Sequence, residues 1–330
     1  MFVRGAAAVL ILSSITTVEA ETISATAKVD EGAKKVVVEI GGKRFTELVY
    51  GGRMKPVYFP IIGPGENVMV RQWPMLGAAL GEEQDHPHHR GLWFAHGSVN
   101  GVDFWKETPD AGRIMLLGVP EILAGQGTVT VRTRESWRRP DGTEVMTSMT
   151  EVTCGADVAE QGVAAGKAGE ADRFLDYVVT MTAGAGAVVF GDTKEGTMAL
   201  RTSAVLNLKG PVAQGTAMTS EGKSGAAAWG SHARWVDYSA PMTGGVTGVA
   251  CFDHPSNLRH PTTWHARDYG LLAANPFGLH DFQNQPAGAG DFVLKKGETL
   301  TLRYRWLFHR KATAEAGIEA RWQRWAAGKP

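Results

Sequence analysis

Residues 299–308 read TLTLRYRWLF. Leu300, Leu302, Tyr304, Trp306 and Phe308 take every second position, and Thr or Arg fills most of the places between. Side chains alternate across a strand with a period of two, so this run has one apolar and one more polar face and predicts a half-buried β-strand. Residues 128–137 (TVTVRTRESW) repeat the pattern, with Val129 and Val131 opposite Arg132 and Arg134. Further short runs, bounded by Gly, Pro, Asp or Asn, lie at 24–30, 34–40, 44–50, 113–118, 143–153, 173–182, 186–190, 198–207, 233–239, 246–252 and 290–294. Residues 138–143 (RRPDGT) separate two alternating runs and predict a hairpin turn. Many short, turn-bounded strands predict an all-β protein, a large antiparallel β-sandwich.

One helix is predicted, at the C-terminus. Within 311–327, Ile318, Trp322 and Trp325 fall at i, i+4 and i+7, with Gly328 as a stop. Residues 155–171 are rich in Gly and Ala without strand alternation and read as a surface insertion between two strands. No repeat or composition shift divides the chain, so residues 21–330 read as a single all-β domain.

Residues 1–20 read as a secretory signal peptide: Arg4 is a short positive n-region, AAAVLILSSI follows at 6–15, and Val18-Glu19-Ala20 offers a small-residue cleavage site. A periplasmic or secreted protein is expected. Later runs are too short for a transmembrane helix, so no membrane span is expected. The 330 residues carry 34 Lys+Arg against 34 Asp+Glu, and without a basic excess nucleic acid is a poor partner. Hydrophobic residues at 43% and charged residues at 21% suit a globular chain and exclude a disordered one. Cys154 and Cys251 allow one bridge or two buried thiols.

The chemistry-bearing residues cluster in three segments. The first, 82–106, reads EEQDHPHHRGLWFAHGSVNGVDFWK. If residues 86–88 are extended, His86 and His88 point to one side and His89 to the other. With Asp85 and Arg90 these imidazoles suit acid/base work or a clamp on a polar ligand. A divalent metal on His86 and His88 with a distant third histidine is the alternative; no other cofactor is indicated. His96, Trp93 and Trp105 lie in the same run, and flat aromatic faces beside polar groups suit a sugar. The second segment, GDTKEGTMALR at 191–201, supplies Asp192 and Glu195 as paired carboxylates, with Lys194 and Arg201. Alone it reads equally as a solvated loop. The third, 253–284, holds His265, Arg267, Asn275 and His280 in a long polar stretch with strand pattern only at 270–274.

The combination of DHPHHRGLWFAHGSVNGVDFW, GDTKEG and HPTTWHARDYGLLAANPFG resembles the bacterial PmoA-like family, exported proteins of unknown function. The family's label of methane oxygenase is misplaced for a sequence without a membrane span. The resemblance implies a large sandwich like that of galactose mutarotases and points to carbohydrates; it supplies no catalytic residues. The expectation is therefore an exported carbohydrate-active protein with a small-molecule sugar as its partner. As an enzyme it would be a hydrolase, lyase or epimerase. His86, His88, His89, Asp192 and Glu195 would be catalytic, and Arg90, Arg201 and Arg267 would clamp hydroxyls or carboxylates. The alternatives are a non-catalytic sugar-binding protein and a His-ligated metalloprotein. The three segments are expected to meet, with His88 or His89 within about 10 Å, one ligand width, of Arg201, His265 or Arg267.

Overall fold

The computed structural model describes residues 22–157 and 169–328. The expected signal peptide lies outside the described residues, as does most of the expected insertion. In chain order the strands are β1 (Ala25–Asp30), β2 (Lys35–Ile40), β3 (Lys43–Val49), β4 (Val57–Ile61), β5 (Leu92–His96), β6 (Arg113–Leu116), β7 (Glu121–Ala124), β8 (Thr128–Arg138), β9 (Glu144–Asp157), β10 (Asp172–Thr182), β11 (Val188–Phe190), β12 (Gly196–Arg201), β13 (Thr216–Thr219), β14 (Trp235–Met242), β15 (Gly245–Asp253), β16 (Thr263–Ala266), β17 (Leu271–Asn275), β18 (Phe292–Leu294) and β19 (Thr299–Arg310). Two α-helices join them, α1 (Leu279–Gln283) and α2 (Ile318–Ala327).

An eight-stranded sheet runs β1-β2-β3-β4-β5-β12-β17-β16. A nine-stranded sheet runs β13-β14-β15-β19-β10-β9-β8-β6, with β7 also paired to β8. Strands β11 and β18 form a two-stranded ribbon. The protein is an antiparallel all-β sandwich with a C-terminal helix, as the alternating runs predict. Leu300, Leu302, Tyr304, Trp306 and Phe308 all enter the core between the sheets. Aromatic pairs cross the gap: Phe45 with Phe308 at 5.8 Å, Tyr58 with Tyr177 at 6.4 Å and Phe94 with Tyr177 at 5.9 Å between ring centroids.

The nine-stranded sheet buries part of its second face as well. Ile318, Trp322 and Trp325 of α2 pack with Trp235, Ala250, Phe252 and Leu307 there. The helix begins at Ile318 rather than 311, because Gly317, in the left-handed region at φ 64°, precedes a new helical start. The run expected at 198–207 ends as a strand at Arg201 and gives way to a 3-10 turn at Ala204–Leu206. Residues 155–157, expected in the insertion, continue β9. Strands β4, β5 and β16 lack clear alternation in sequence because they are buried on both faces or nearly so. Cys154 and Cys251 are buried free thiols. Among the described residues no helix is long and apolar enough to cross a membrane.

Candidate functional site

The register of the eight-stranded sheet assigns its faces. Phe94 points into the core, so its neighbour Trp93 points to the opposite, outer face. Trp93 pairs with Ala199, Ala199 with Ala273, and Ala273 with His265. Directly opposed residues share a face, so Trp93 and His265 lie on the outer face across four strands. Arg201, two residues beyond Ala199, joins them. The β16–β17 hairpin adds Arg267 and Tyr269, held by Arg267 N–H donating to Leu271 O at 2.8 Å.

The segment before β5 supplies the histidines. His89 N–H donates to His86 O at 3.0 Å, closing a turn. His86 sits in the left-handed region at φ 46°. The expected extended geometry, with His89 facing away, is therefore replaced by a turn that gathers all three rings. His86 stacks on His89 at 4.7 Å, and His88 meets His89 edge-on at 4.5 Å. A column of near-parallel rings runs from Trp93 through His89 and His86 to Tyr269, at successive centroid distances of 5.2, 4.7 and 5.6 Å. Gly91 at φ 64° lets this turn enter β5; a Cβ there would sit 2.3 Å from Tyr58 O. Gly91 O accepts from Arg201 N–H at 2.9 Å, tying the turn to β12.

Asp85 organises the charges. It accepts from Arg71 Nη1 at 2.6 Å and Arg201 Nη2 at 3.1 Å, and His86 Nδ1 lies 2.5 Å from its other oxygen. Burial alone would raise the Asp85 carboxyl, but Arg201, His86 and Arg71 outweigh it and hold it below the ordinary range. A carboxylate accepts, so His86 Nδ1 carries the proton, on a ring 43% exposed. Arg201 Nη1 donates to His89 Nδ1 at 3.2 Å, because a guanidinium has no acceptor. Neutral His89 then carries its proton on Nε2, which is buried and has no partner among the described residues. Burial keeps these rings uncharged: His89 is held well below the usual histidine value and His88 is lowered to about 3. His265, also lowered to about 3 by burial, donates from Nδ1 to Lys194 O at 2.9 Å. Lys55, only 1% exposed, pairs with Glu107 at 3.1 Å, and Arg90 binds the same carboxylate at 2.7 Å.

The three segments meet as expected: His89 and Arg201 are 3.2 Å apart, and Arg201 lies 4.5 Å from the centre of the Tyr269 ring. Not every candidate joins them. Both carboxylate oxygens of Asp192 accept from backbone N–H groups, His280 at 3.0 Å and Gly290 at 2.8 Å, so it braces loops rather than pairing with Glu195. Glu195 pairs instead with Lys194 at 3.4 Å. Asn275 holds Thr193 O at 2.9 Å and accepts from Phe277 N–H at 2.9 Å. His280 is exposed on α1, a helix in what the sequence suggested was irregular, and donates to Gln285 O at 2.8 Å. His96 is buried against Phe277, and Gly191 O accepts from its Nε2 at 2.7 Å. Trp105 is buried beneath Trp93 and His89. Among the described residues no group of three or more His, Cys, Asp or Glu is arranged to hold a metal ion, so the His86–His88 pair lacks a third ligand.

Sequence reasoning did not select Arg71, Tyr269, Trp229, Lys55 or Glu107. Tyr269 receives Arg201 over its ring at 4.5 Å and Arg267 at 5.4 Å, and Trp229 receives Arg267 at 4.7 Å. Isolated arginines and aromatics carry no sequence signal of their own; only strand pairing brings them to the histidines.

Fold and site together define an all-β sandwich with a histidine- and arginine-rich site on the outer face of one sheet. The chain belongs to DUF6807, a family of unknown function, which it matches over residues 35–323. No curated protein matches it. Among solved structures it is similar to the galactosidase domain of alpha-galactosidase-sucrose kinase, AgaSK, at 8% identity and a TM-score of 0.41. That match covers 86% of this chain and 41% of the other, so this chain spans about two fifths of the compared protein.

Proposed function

We propose that this protein is a carbohydrate-active enzyme that moves a proton on a bound sugar, of lyase or epimerase type, with His86 as the acid/base. One observation carries the reading. His86 is a partly exposed imidazole oriented by a carboxylate, and that carboxylate is itself anchored by two buried arginines. An imidazole whose Nδ1–H is held by a carboxylate leaves Nε2 as its free basic nitrogen. Trp229 and Tyr269, each partly exposed, offer flat faces for the C–H side of a sugar, and Arg267 beside them offers N–H donors to its oxygens. A hydrolase with two catalytic carboxylates fits less well, because backbone groups occupy Asp192.

The test is incubation of the purified chain with a panel of glycosides in D2O, followed by nuclear magnetic resonance. The expected result is product formation or deuterium uptake at a sugar carbon, reduced on the order of 10²-fold in His86→Gln. Sugar binding without turnover or exchange, unaltered by His86→Gln, would overturn the catalytic assignment and favour a non-catalytic sugar-binding protein.

A further inference from the structure

The arginines of the site differ in how their charge is met. Arg71 and Arg201 share Asp85, with Glu83 at 3.9 Å from Arg201, and Arg90 shares Glu107 with Lys55. Arg267 has no carboxylate within ion-pair distance among the described residues, and its guanidinium makes no hydrogen bond to them. It is nevertheless held in place. Its backbone is pinned on both sides, by Arg267 N–H on Leu271 O and by the Tyr238 hydroxyl on Arg267 O at 3.1 Å. Its head lies 4.7 Å from the Trp229 ring and 5.4 Å from the Tyr269 ring. A half-buried guanidinium lying on aromatic rings keeps its in-plane N–H donors for a partner outside the protein.

The surroundings reinforce this. The other cations of the site, Lys55, Arg71, Arg90, Lys194 and Arg201, each meet a carboxylate within ion-pair distance, so among the described residues of the site Arg267 is the cation left for an outside anion. A planar fork matches a carboxylate through two parallel hydrogen bonds. Arg267 also touches the Tyr269 ring on which His86 stacks, so an anion there lies beside the proposed base.

We infer that Arg267, flanked by Trp229 and Tyr269, is the subsite for the carboxylate of an acidic sugar, and that the substrates are uronate-type sugars rather than neutral ones. This rests on the sugar reading of the site above.

The experiment is titration of the full chain with D-glucuronate and D-galacturonate, their methyl esters, the matching neutral hexoses and inorganic phosphate. Tryptophan fluorescence and calorimetry report binding. The uronates should bind about tenfold or more tightly than the esters and hexoses, the worth of one charge-assisted pair. Arg267→Gln should erase that difference, Arg267→Lys should retain part of it, and added salt should weaken it. Equal binding of uronates, esters and hexoses would overturn this inference and leave the sugar reading standing. No binding of any sugar would overturn both. Phosphate binding as tightly as the uronates would overturn the carboxylate assignment. If Arg267→Gln does not fold, the comparison of uronate with ester on the unmodified chain decides.

Discussion

Asp85 accepts from two arginines that are 2% and 1% exposed and from His86 as well. Replacing it with Ala strands both buried cations. The expected loss of stability is on the order of 3 kcal/mol, the lower end for a buried pair because Asp85 keeps part of its surface in water. Denaturant unfolding of Asp85→Ala beside the parent measures it; a change within experimental error would contradict the anchoring role. The same carboxylate sets an acid limit. Its folded value is depressed, so its stabilisation is complete above the ordinary Asp value of 3.8 and is lost as pH falls through the lower folded value. His86 presents the opposite balance. A non-glycine residue at φ 46° is strained by about 1 kcal/mol or more. His86→Gly should therefore be more stable than His86→Ala by about 1 kcal/mol while both lose turnover. Equal melting of the two would show the strain to be absent.

Among the elements, the junction between β19 and α2 carries a buried pair. His309 Nε2 meets Asp237 Oδ1 at 2.9 Å, and Thr313 donates to the other oxygen at 2.6 Å. Burial alone would lower His309, but Asp237 outweighs it and raises the imidazole above its ordinary value of 6.5. A raised folded value means the stabilisation is fully present below the unfolded value and is lost as pH rises through the folded one. The melting difference between the parent and Asp237→Asn should shrink as pH is raised from about 6 towards 9. A difference constant over that range would remove His309 from the linkage. Ile318, 1% exposed, fixes the start of α2 on the sheet, and Ile318→Ala should cost about 2–4 kcal/mol. The helix was legible from its apolar spacing, but its start was not. The apolar spacing begins only at Ile318, residues 311–317 (KATAEAG) do not mark a boundary by composition, and the left-handed backbone of Gly317 sets the start.

For the molecule as a whole, residues from both large sheets form one continuous core. Phe94 joins them, packed against Tyr177 and Trp137. Calorimetry should show one cooperative transition for the described sandwich, and Phe94→Ala should shift that transition whole, by about 3–5 kcal/mol. Two separable transitions would show the sheets to be independent. Far-ultraviolet circular dichroism should be β-dominated. At this scale the site is a product of register. The alanines at 199 and 273 let Trp93, His265 and Arg201 share one face, and Asp192 and Asn275 brace the loops that bring Lys194 and Glu195 to it.

Local pattern alone determined the class of fold, because a period of two with turn residues between runs is written in consecutive positions and needs no distant partner. It also named most of the residues that converge, since histidines, arginines and carboxylates are conspicuous wherever they fall. Tertiary structure decided which of them work together. Asp85 became an anchor, Asp192 a brace, His96 a core residue and Arg267 a cation without a carboxylate partner among the described residues only when strands far apart in sequence were paired. Whether a charged group is a reagent or a structural tie depends on the hydrogen-bond partners and burial that folding assigns to it, and those are set by neighbours that no stretch of consecutive residues contains.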